Sequence, residues 1–190
     1  MNVMTRLALG AAVSLGALAG AASIASAKDM MVIQTKDGEI DIQLRPDLAP
    51  NHVKQIEAIA KKGSYDGVVF HRVIDGFMAQ TGDVQYGKSG GGYSADSVGT
   101  GGSDMPDIKA EFSKEPFKRG TVGMARSQDP NSANSQFFIM FADGSFLNGQ
   151  YTVVGQVTKG MDVVDKIKKG SADDNGSVAD PDKMVSVKIQ

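Results

Sequence analysis

Few side chains in this sequence are capable of covalent or metal chemistry. The chain contains no cysteine and two histidines, His52 and His71. The absence of cysteine excludes disulfides, thiol nucleophiles and thiolate-bound metals, and two histidines disfavour a histidine-bound metal. We therefore expect neither a metal nor a cofactor. His71 lies between Phe70 and Arg72 in a predicted strand, and we interpret it as a buried or hydrogen-bonded structural residue, not as a base.

One short pattern points to nucleotide chemistry. Residues 82–89 have the sequence GDVQYGKS, which satisfies the phosphate-loop pattern G-x4-G-K-[ST]. Such a loop binds phosphate only where a helix begins at its lysine and serine, so that the helix N-terminus faces the anion. Here Ser89 is followed by three glycines, which disfavour a helix. A nucleotide-binding protein is therefore the weakest alternative, and nucleotide titration would test it.

Two longer blocks are more specific. Residues 70–83 are FHRVIDGFMAQTGD, and residues 120–140 are GTVGMARSQDPNSANSQFFIM. They resemble the two most specific blocks of the cyclophilin family, in the family's order, and the resemblance continues through residues 146–157 and 161–167. It implies a peptidyl-prolyl cis/trans isomerase with a mainly β fold, a closed eight-stranded antiparallel β-barrel capped by two α-helices. The active groove is then expected on the outer face of the barrel.

The resemblance also implies roles for individual side chains. Arg72 matches the catalytic arginine of the family, and Gln80 matches the glutamine that hydrogen-bonds the bound peptide. We take these two residues and Phe77 as the catalytic candidates. The candidates for substrate binding are Met78, Ala125, Arg126, Phe138, Phe146, Leu147 and Tyr151. The pocket for the proline ring corresponds to Phe77, Met78, Phe138 and Leu147.

Three of these positions differ from the commonest pattern of the family. Phe146 stands where tryptophan is usual and Tyr151 where histidine is usual, and both residues are typical of the bacterial exported branch. The usual tryptophan offers an N–H donor and a larger apolar face to the inhibitor cyclosporin, so we expect weak cyclosporin binding. Arg126 stands where many relatives have asparagine. We expect it to matter less, because the family binds substrate there through the backbone beside Ala125.

Isomerisation of an X-Pro bond suits a site that lacks acid, base and metal. The barrier is about 18 to 20 kcal/mol because the amide bond has partial double-bond character. In the twisted amide the proline nitrogen becomes a better hydrogen-bond acceptor, and a guanidinium provides a donor that stays charged.

The alternative function is a proline-peptide binding or holdase module without catalysis. The intact set of site residues argues against it, and an isomerisation assay separates the two functions.

Short strands and two separated helices must position these residues. Residues 30–35 and 39–44 are strand-like runs joined by Lys36-Asp37-Gly38, a strong hairpin signal. A helical period predicts helices over 47–62, followed by Gly63, and over 161–169. Further strands are predicted at 68–73, 77–81, 122–125, 136–140, 152–157 and 185–189. The glycine-rich residues 82–106 predict a long surface loop, and alternation makes Val73, Ile74, Phe137 and Ile139 core candidates.

The first 27 residues have the order of a secretory signal peptide. Arg6 precedes an uncharged run over 7–22, and Ala25-Ser26-Ala27 supplies small residues for cleavage after Ala27. A retained membrane anchor is the alternative, because the run approaches the length of a spanning helix. We predict a signal peptide at 1–27 and one isomerase domain at 28–190, located in the periplasm, with secretion from the cell as a further option.

The charge of the chain limits its partners. Removing residues 1–27 takes away one of 20 basic residues and none of 22 acidic residues, which changes the formal net charge from −2 to −3. A weakly acidic chain without a basic cluster argues against nucleic acid and anionic membranes as partners. We expect a monomer without stable membrane insertion after signal cleavage. Its expected partners are proline-containing peptides and unfolded exported proteins.

Overall fold

The computed structural model describes residues 29–190. The predicted signal peptide lies outside this range. Within it, no helix has the length and apolar character needed to cross a membrane.

The described residues form ten strands, two α-helices and two short 3₁₀ turns. The strands are β1 Met30–Thr35, β2 Gly38–Leu44, β3 Arg72–Ile74, β4 Met78–Thr81, β5 Gly87–Lys88, β6 Gly92–Tyr93, β7 Thr121–Met124, β8 Phe137–Met140, β9 Val153–Lys159 and β10 Ser186–Ile189. The helices are α1 Pro50–Lys61 and α2 Met161–Lys166, and the 3₁₀ turns are Ser145–Leu147 and Ala172–Asp174. The mainly β composition with two helices, predicted from the sequence, is confirmed.

Eight of the strands form one curled antiparallel sheet. Its order is β10-β1-β2-β9-β7-β8-β4-β3, while β5 and β6 pair as a separate hairpin. The predicted closed barrel is wrong, because no strand ladder within residues 29–190 joins the two edge strands β3 and β10. Residues 176–184 span this gap irregularly, for example through Val73 N to Gly176 O at 2.8 Å and Val178 N to His71 O at 3.1 Å. Asp180 has a left-handed φ of 52° and the next residue, Pro181, lacks an N–H, so this segment does not continue as a regular strand.

Several predicted element bounds differ in detail. Helix α1 begins at Pro50 instead of residue 47, because proline is well suited to the first turn of a helix. Helix α2 ends at Lys166, since Ile167 already has an extended backbone with φ −55° and ψ 128°. The strand predicted at 68–73 is regular only from Arg72, while Val68 and Val69 form isolated bridges. The β1–β2 hairpin is confirmed.

Helix α1 is capped by a residue that is distant in sequence. Ala49, at its N-cap, offers no side-chain hydrogen bond. Instead the Glu111 carboxylate accepts bonds from the backbone N–H groups of Asn51 at 3.2 Å and His52 at 3.1 Å, and lies 2.6 Å from His52 Nδ1. These contacts satisfy N–H groups that every helix leaves free at its start. They also fix the helix against the segment that leads into β7.

The curled sheet separates two hydrophobic clusters. The larger one fills the space between the inner face and the helices and contains Val73, Phe137 and Ile139, as predicted. The smaller one lies on the outer face and consists of Met78, Phe117, Phe138, Met140, Leu147 and Val153. Ile74 was wrongly predicted to be in the same core as Val73. Consecutive strand residues point to opposite faces, so Ile74 packs against the outer cluster.

The glycine-rich loop at 82–106 is organised around one buried carboxylate. Asp83, which is fully buried, accepts hydrogen bonds from the backbone N–H groups of Tyr86, Gly99 and Gly101 at 2.7 to 3.0 Å. Lys88 lies in a strand, paired with Gly92. The loop prediction is thus right overall, with a short hairpin inside it. A phosphate loop needs a helix that begins at its lysine, so residues 82–89 do not form one.

Candidate active site

Strand register brings the central site residues together. Arg72 in β3 pairs with Gln80 in β4, Gln80 pairs with Phe138 in β8, and Phe138 pairs with Gly123 in β7. Residues directly opposite each other on neighbouring strands lie on the same face, so this row crosses the outer face of the sheet. A Cβ at Gly123 would lie 2.5 Å from Phe138 Cζ and 2.6 Å from Phe117 Cε1. Glycine there leaves room for both rings.

One cavity on the outer face collects all the predicted site residues. It has a volume of about 410 Å³. Its lining consists of Arg72, Phe77, Met78, Gln80, Ala125, Arg126, Phe138, Phe146, Leu147, Gln150 and Tyr151. Gln150, whose side chain donates to Phe146 O at 2.9 Å, was not predicted from the sequence. Its place beside Tyr151, within the resembling residues 146–157, was the only available signal.

The floor of the cavity is aromatic and apolar. The Phe138 ring stacks on Phe117 with centroids 5.8 Å apart, and Tyr151 meets it edge-on at 5.9 Å. Phe77 and Phe146 form a tilted pair at 5.4 Å. Met78, Phe138 and Leu147 are buried, whereas Phe146 remains 63% exposed at the rim. Such a surface can accept a compact apolar ring from solvent.

Arg72 stands at the edge of this apolar floor and is held from two sides. Its Nε donates to Asn175 O at 3.0 Å and its Nη2 donates to Asn175 Oδ1 at 3.1 Å. Its Nη1 donates to Gln80 Oε1 at 3.2 Å. Burial lowers the pKa of Arg72 from its usual value, and nearby Tyr151 opposes that shift. The guanidinium nevertheless stays charged near neutral pH. Asn175, which is 103 residues away from Arg72 along the chain, was not predicted from the sequence.

A relay of amides positions Gln80. Its Nε2 donates to Gln136 Oε1 at 3.0 Å, and Gln136 Nε2 donates to Gly99 O at 3.0 Å and Gly101 O at 2.8 Å. The same two glycines donate their N–H groups to Asp83. The glycine-rich loop therefore orients the Gln80 oxygen that Arg72 contacts. Gln136 was visible inside the second block, but no role was assigned to it.

Arg126 follows β7, which β8 and β4 separate from β3, the strand of Arg72. Its Nη1 donates to Ser127 O at 2.9 Å and its Nη2 to Gln150 O at 3.0 Å. Its Cζ lies 4.4 Å from the centre of the Tyr151 ring, a cation–π distance. The groove thus contains two fixed guanidinium groups.

His71 gives no acid or base at neutral pH. It is buried, as predicted, and neither ring nitrogen has a hydrogen-bond partner among the described residues. Burial lowers the pKa of His71 to about 4, while Asp83 acts in the opposite direction. We expect kcat/KM on X-Pro peptides to be flat from about pH 6 to 9, because a histidine with that pKa is neutral throughout. A pH–rate series tests this, and a bell-shaped profile near neutrality would show that an acid or base had been overlooked.

The protein has a curled antiparallel sheet with an arginine beside an apolar groove on its outer face. This combination defines the class of cyclophilin-like isomerases. The family model for "Cyclophilin type peptidyl-prolyl cis-trans isomerase/CLD" matches residues 30–189. The chain belongs to this family, and its activity is peptidyl-prolyl cis-trans isomerisation.

Similar proteins agree with this assignment. A "Probable peptidyl-prolyl cis-trans isomerase" of Brucella suis is 61% identical over 188 residues, covering 97% of this chain and 96% of the relative. Peptidyl-prolyl cis-trans isomerase B of Escherichia coli is 39% identical over 157 residues, covering 73% and 84% of the two chains. Cyclophilin AquaCyp293 from Hirschia baltica superposes with a TM-score of 0.70 at 28% identity, covering 86% of this chain and 74% of that one.

A more distant relative shares the fold. A Cryptosporidium parvum cyclophilin solved in the presence of the dipeptide ala-pro has a TM-score of 0.71 at 24% identity. The superposition covers 85% of this chain and 98% of the Cryptosporidium parvum chain.

Proposed function

We propose that Arg72 is the catalytic residue of this isomerase and that it donates a hydrogen bond to the proline nitrogen as the amide twists. The observation that carries the proposal is the half-buried guanidinium of Arg72, fixed by Asn175 and Gln80 beside the apolar floor. A guanidinium has five N–H donors. Three of them are engaged in these bonds, and Nη1 also lies 3.9 Å from Met78 Sδ, so the second N–H on Nη2 is the donor that remains for the substrate.

The size of the required effect shows that Arg72 does not act alone. Uncatalysed exchange takes tens to hundreds of seconds, and enzymes turn over about 1 to 1,000 times per second, so about 3 to 7 kcal/mol of barrier must be removed. One hydrogen bond to a charged group contributes about 1.5 to 3 kcal/mol. The apolar floor supplies the rest by holding the proline ring while the preceding residue rotates, and Phe77, Met78, Phe138 and Leu147 are the residues we assign to it. Gln80 would hydrogen-bond the peptide beside it.

An isomerisation assay tests this function against the binding or holdase alternative. The protein is mixed with an X-Pro peptide whose trans form alone is cleaved by a protease, and the slow phase is followed. Catalysis will raise the rate constant of the slow phase in proportion to the enzyme concentration. A binding module would saturate with peptide, for example by fluorescence titration, without accelerating the exchange.

We further propose that the substrates are unfolded exported proteins in the periplasm. The support is the signal-peptide pattern of residues 1–27, together with the resemblance of Phe146 and Tyr151 to the bacterial exported branch. The ala-pro dipeptide present with the Cryptosporidium parvum relative supports proline peptides as ligands. Fractionation of cells that produce the full chain or a chain lacking residues 2–27 tests the location. Recovery of both forms in the cytoplasm would overturn it.

The exposed rim residue Phe146 gives a test with an inhibitor. We expect cyclosporin to bind weakly, and Phe146→Trp to tighten it about ten-fold, because an indole adds one hydrogen bond and more apolar area. Turnover should change far less, because Phe146 is not one of the residues assigned to hold the proline ring. Phe112, which is also exposed (44%) but outside the groove, provides the matched control Phe112→Trp. Tight inhibition of the wild type, or no gain in Phe146→Trp, would contradict the placement of Phe146 against the inhibitor.

A further inference from the structure

The groove extends beyond the first cavity. A second cavity of about 360 Å³ shares Gln80, Ala125 and Arg126 with it. Its other walls are backbone of the glycine-rich loop and short hydroxyl and amide side chains. The linings of the two cavities include two arginines and neither an aspartate nor a glutamate. The groove is therefore locally positive, although the whole chain has a formal net charge of −2.

The arginines of the described residues divide into two kinds. Outside the groove, Arg45 pairs with Asp47 and Arg119 pairs with Asp165, each at 2.7 Å. Inside the groove, neither Arg72 nor Arg126 forms an ion pair with any carboxylate between residues 29 and 190. A partly buried cation without an anion attracts one strongly, because solvent screens it less than a surface charge.

Arg126 is also fixed before any ligand arrives. Its hydrogen bonds to the carbonyls of Ser127 and Gln150, together with the Tyr151 ring beneath it, hold the guanidinium plane at the boundary of the two cavities. These contacts leave a second N–H on Nη2 free. A prearranged donor loses little side-chain entropy when it binds. A carboxylate that crosses this boundary would meet both a charge and a directed donor.

We propose that Arg126 is a specificity-determining residue that makes the groove prefer proline peptides with an acidic side chain close to the proline. This inference rests on the proposed function, because it uses the groove as the peptide site. Arg72 contributes to the same positive field but is committed to the reacting amide. Arg126 was expected from the sequence to matter less, but its place between two carboxylate-free cavities is the reason to assign it a larger role.

The test uses matched peptides that carry glutamate or glutamine at each position within three residues of the proline. The measured quantity is the ratio of kcat/KM for the glutamate peptide to that for the glutamine peptide. For the wild type we expect a ratio of about three to ten at one or more positions at low ionic strength. It should fall toward one in Arg126→Gln, stay above one in Arg126→Lys, and fall in the wild type at high salt.

The ratio separates this inference from the proposed function. Arg119→Gln is the matched control, since it removes an arginine that is paired outside the groove, and its ratio should equal that of the wild type. If the protein isomerises the glutamine peptides but the ratio is near one at every position, the inference is overturned. The proposed function then stays intact. A raised ratio that persists in Arg126→Gln would overturn the assignment to Arg126. If Arg126→Gln does not fold, the salt dependence of the wild-type ratio decides, and a ratio insensitive to salt overturns the proposal.

Discussion

Replacing Arg72 by alanine will lower kcat/KM on X-Pro peptides by about 100- to 1,000-fold, the usual loss for one electrostatic donor in an active site. The donor that Arg72 keeps free beside the apolar floor has one charged counterpart in the lining of this cavity, Arg126. Arg126 is fixed by the carbonyls of Ser127 and Gln150. Arg72→Lys should also be poor, since an ammonium lacks the planar fork that bonds Asn175 and Gln80 together.

The loss must be separated from loss of structure. Arg72 is half-buried on the groove surface, so the alanine variant should keep the far-ultraviolet spectrum and a cooperative thermal transition. Arg119→Ala, which removes an exposed arginine paired with Asp165, is the matched control and should keep wild-type turnover. Near-wild-type kcat/KM in a folded Arg72→Ala protein would rule out the proposed mechanism.

The resemblance of the two long blocks to the cyclophilin family was sufficient to predict most of the groove. Phe138 and Gln80 come from separate blocks, yet strand alternation and pairing place both on one face. The hairpin of β1 and β2, in contrast, followed from the Asp37-Gly38 turn itself, because turn chemistry is local. These features depend on residues that are near each other in the chain or in register across a ladder.

Features that depend on distant contacts were missed or wrong. Helix α1 is capped by Glu111, about sixty residues away, and nothing near Ala49 indicates that partner. The closed barrel was expected from the family resemblance and from the number of short strands, neither of which reveals where a sheet edge ends. That edge is decided by the backbone around Gly176 and Asp180, whose left-handed φ angles of 82° and 52° interrupt regular pairing.

The same irregular part of the chain supplies the second support of Arg72. Asn175 has a left-handed backbone, with φ 49° and ψ 31°, which asparagine tolerates better than most residues. Its carbonyl and its side-chain oxygen both accept hydrogen bonds from Arg72, at 3.0 and 3.1 Å. Two acceptors on one residue fix both the position and the plane of the guanidinium. Asn175 is therefore a positioning residue, acting on the substrate only through Arg72.

Replacing Asn175 by glycine will lower kcat by about 10- to 100-fold with little change in KM, because a small misplacement of a catalytic donor costs up to that factor. Glycine adopts the left-handed backbone without strain and keeps the carbonyl acceptor, so the melting temperature should stay close to that of the wild type. Asn175→Asp, which retains an acceptor oxygen, should keep most of the activity. In an Arg72→Ala background, Asn175→Gly should have no further effect, as expected of residues that act as a unit. Independent, multiplicative losses in that double-mutant cycle would mean that Asn175 acts on the substrate or the fold by a route other than Arg72.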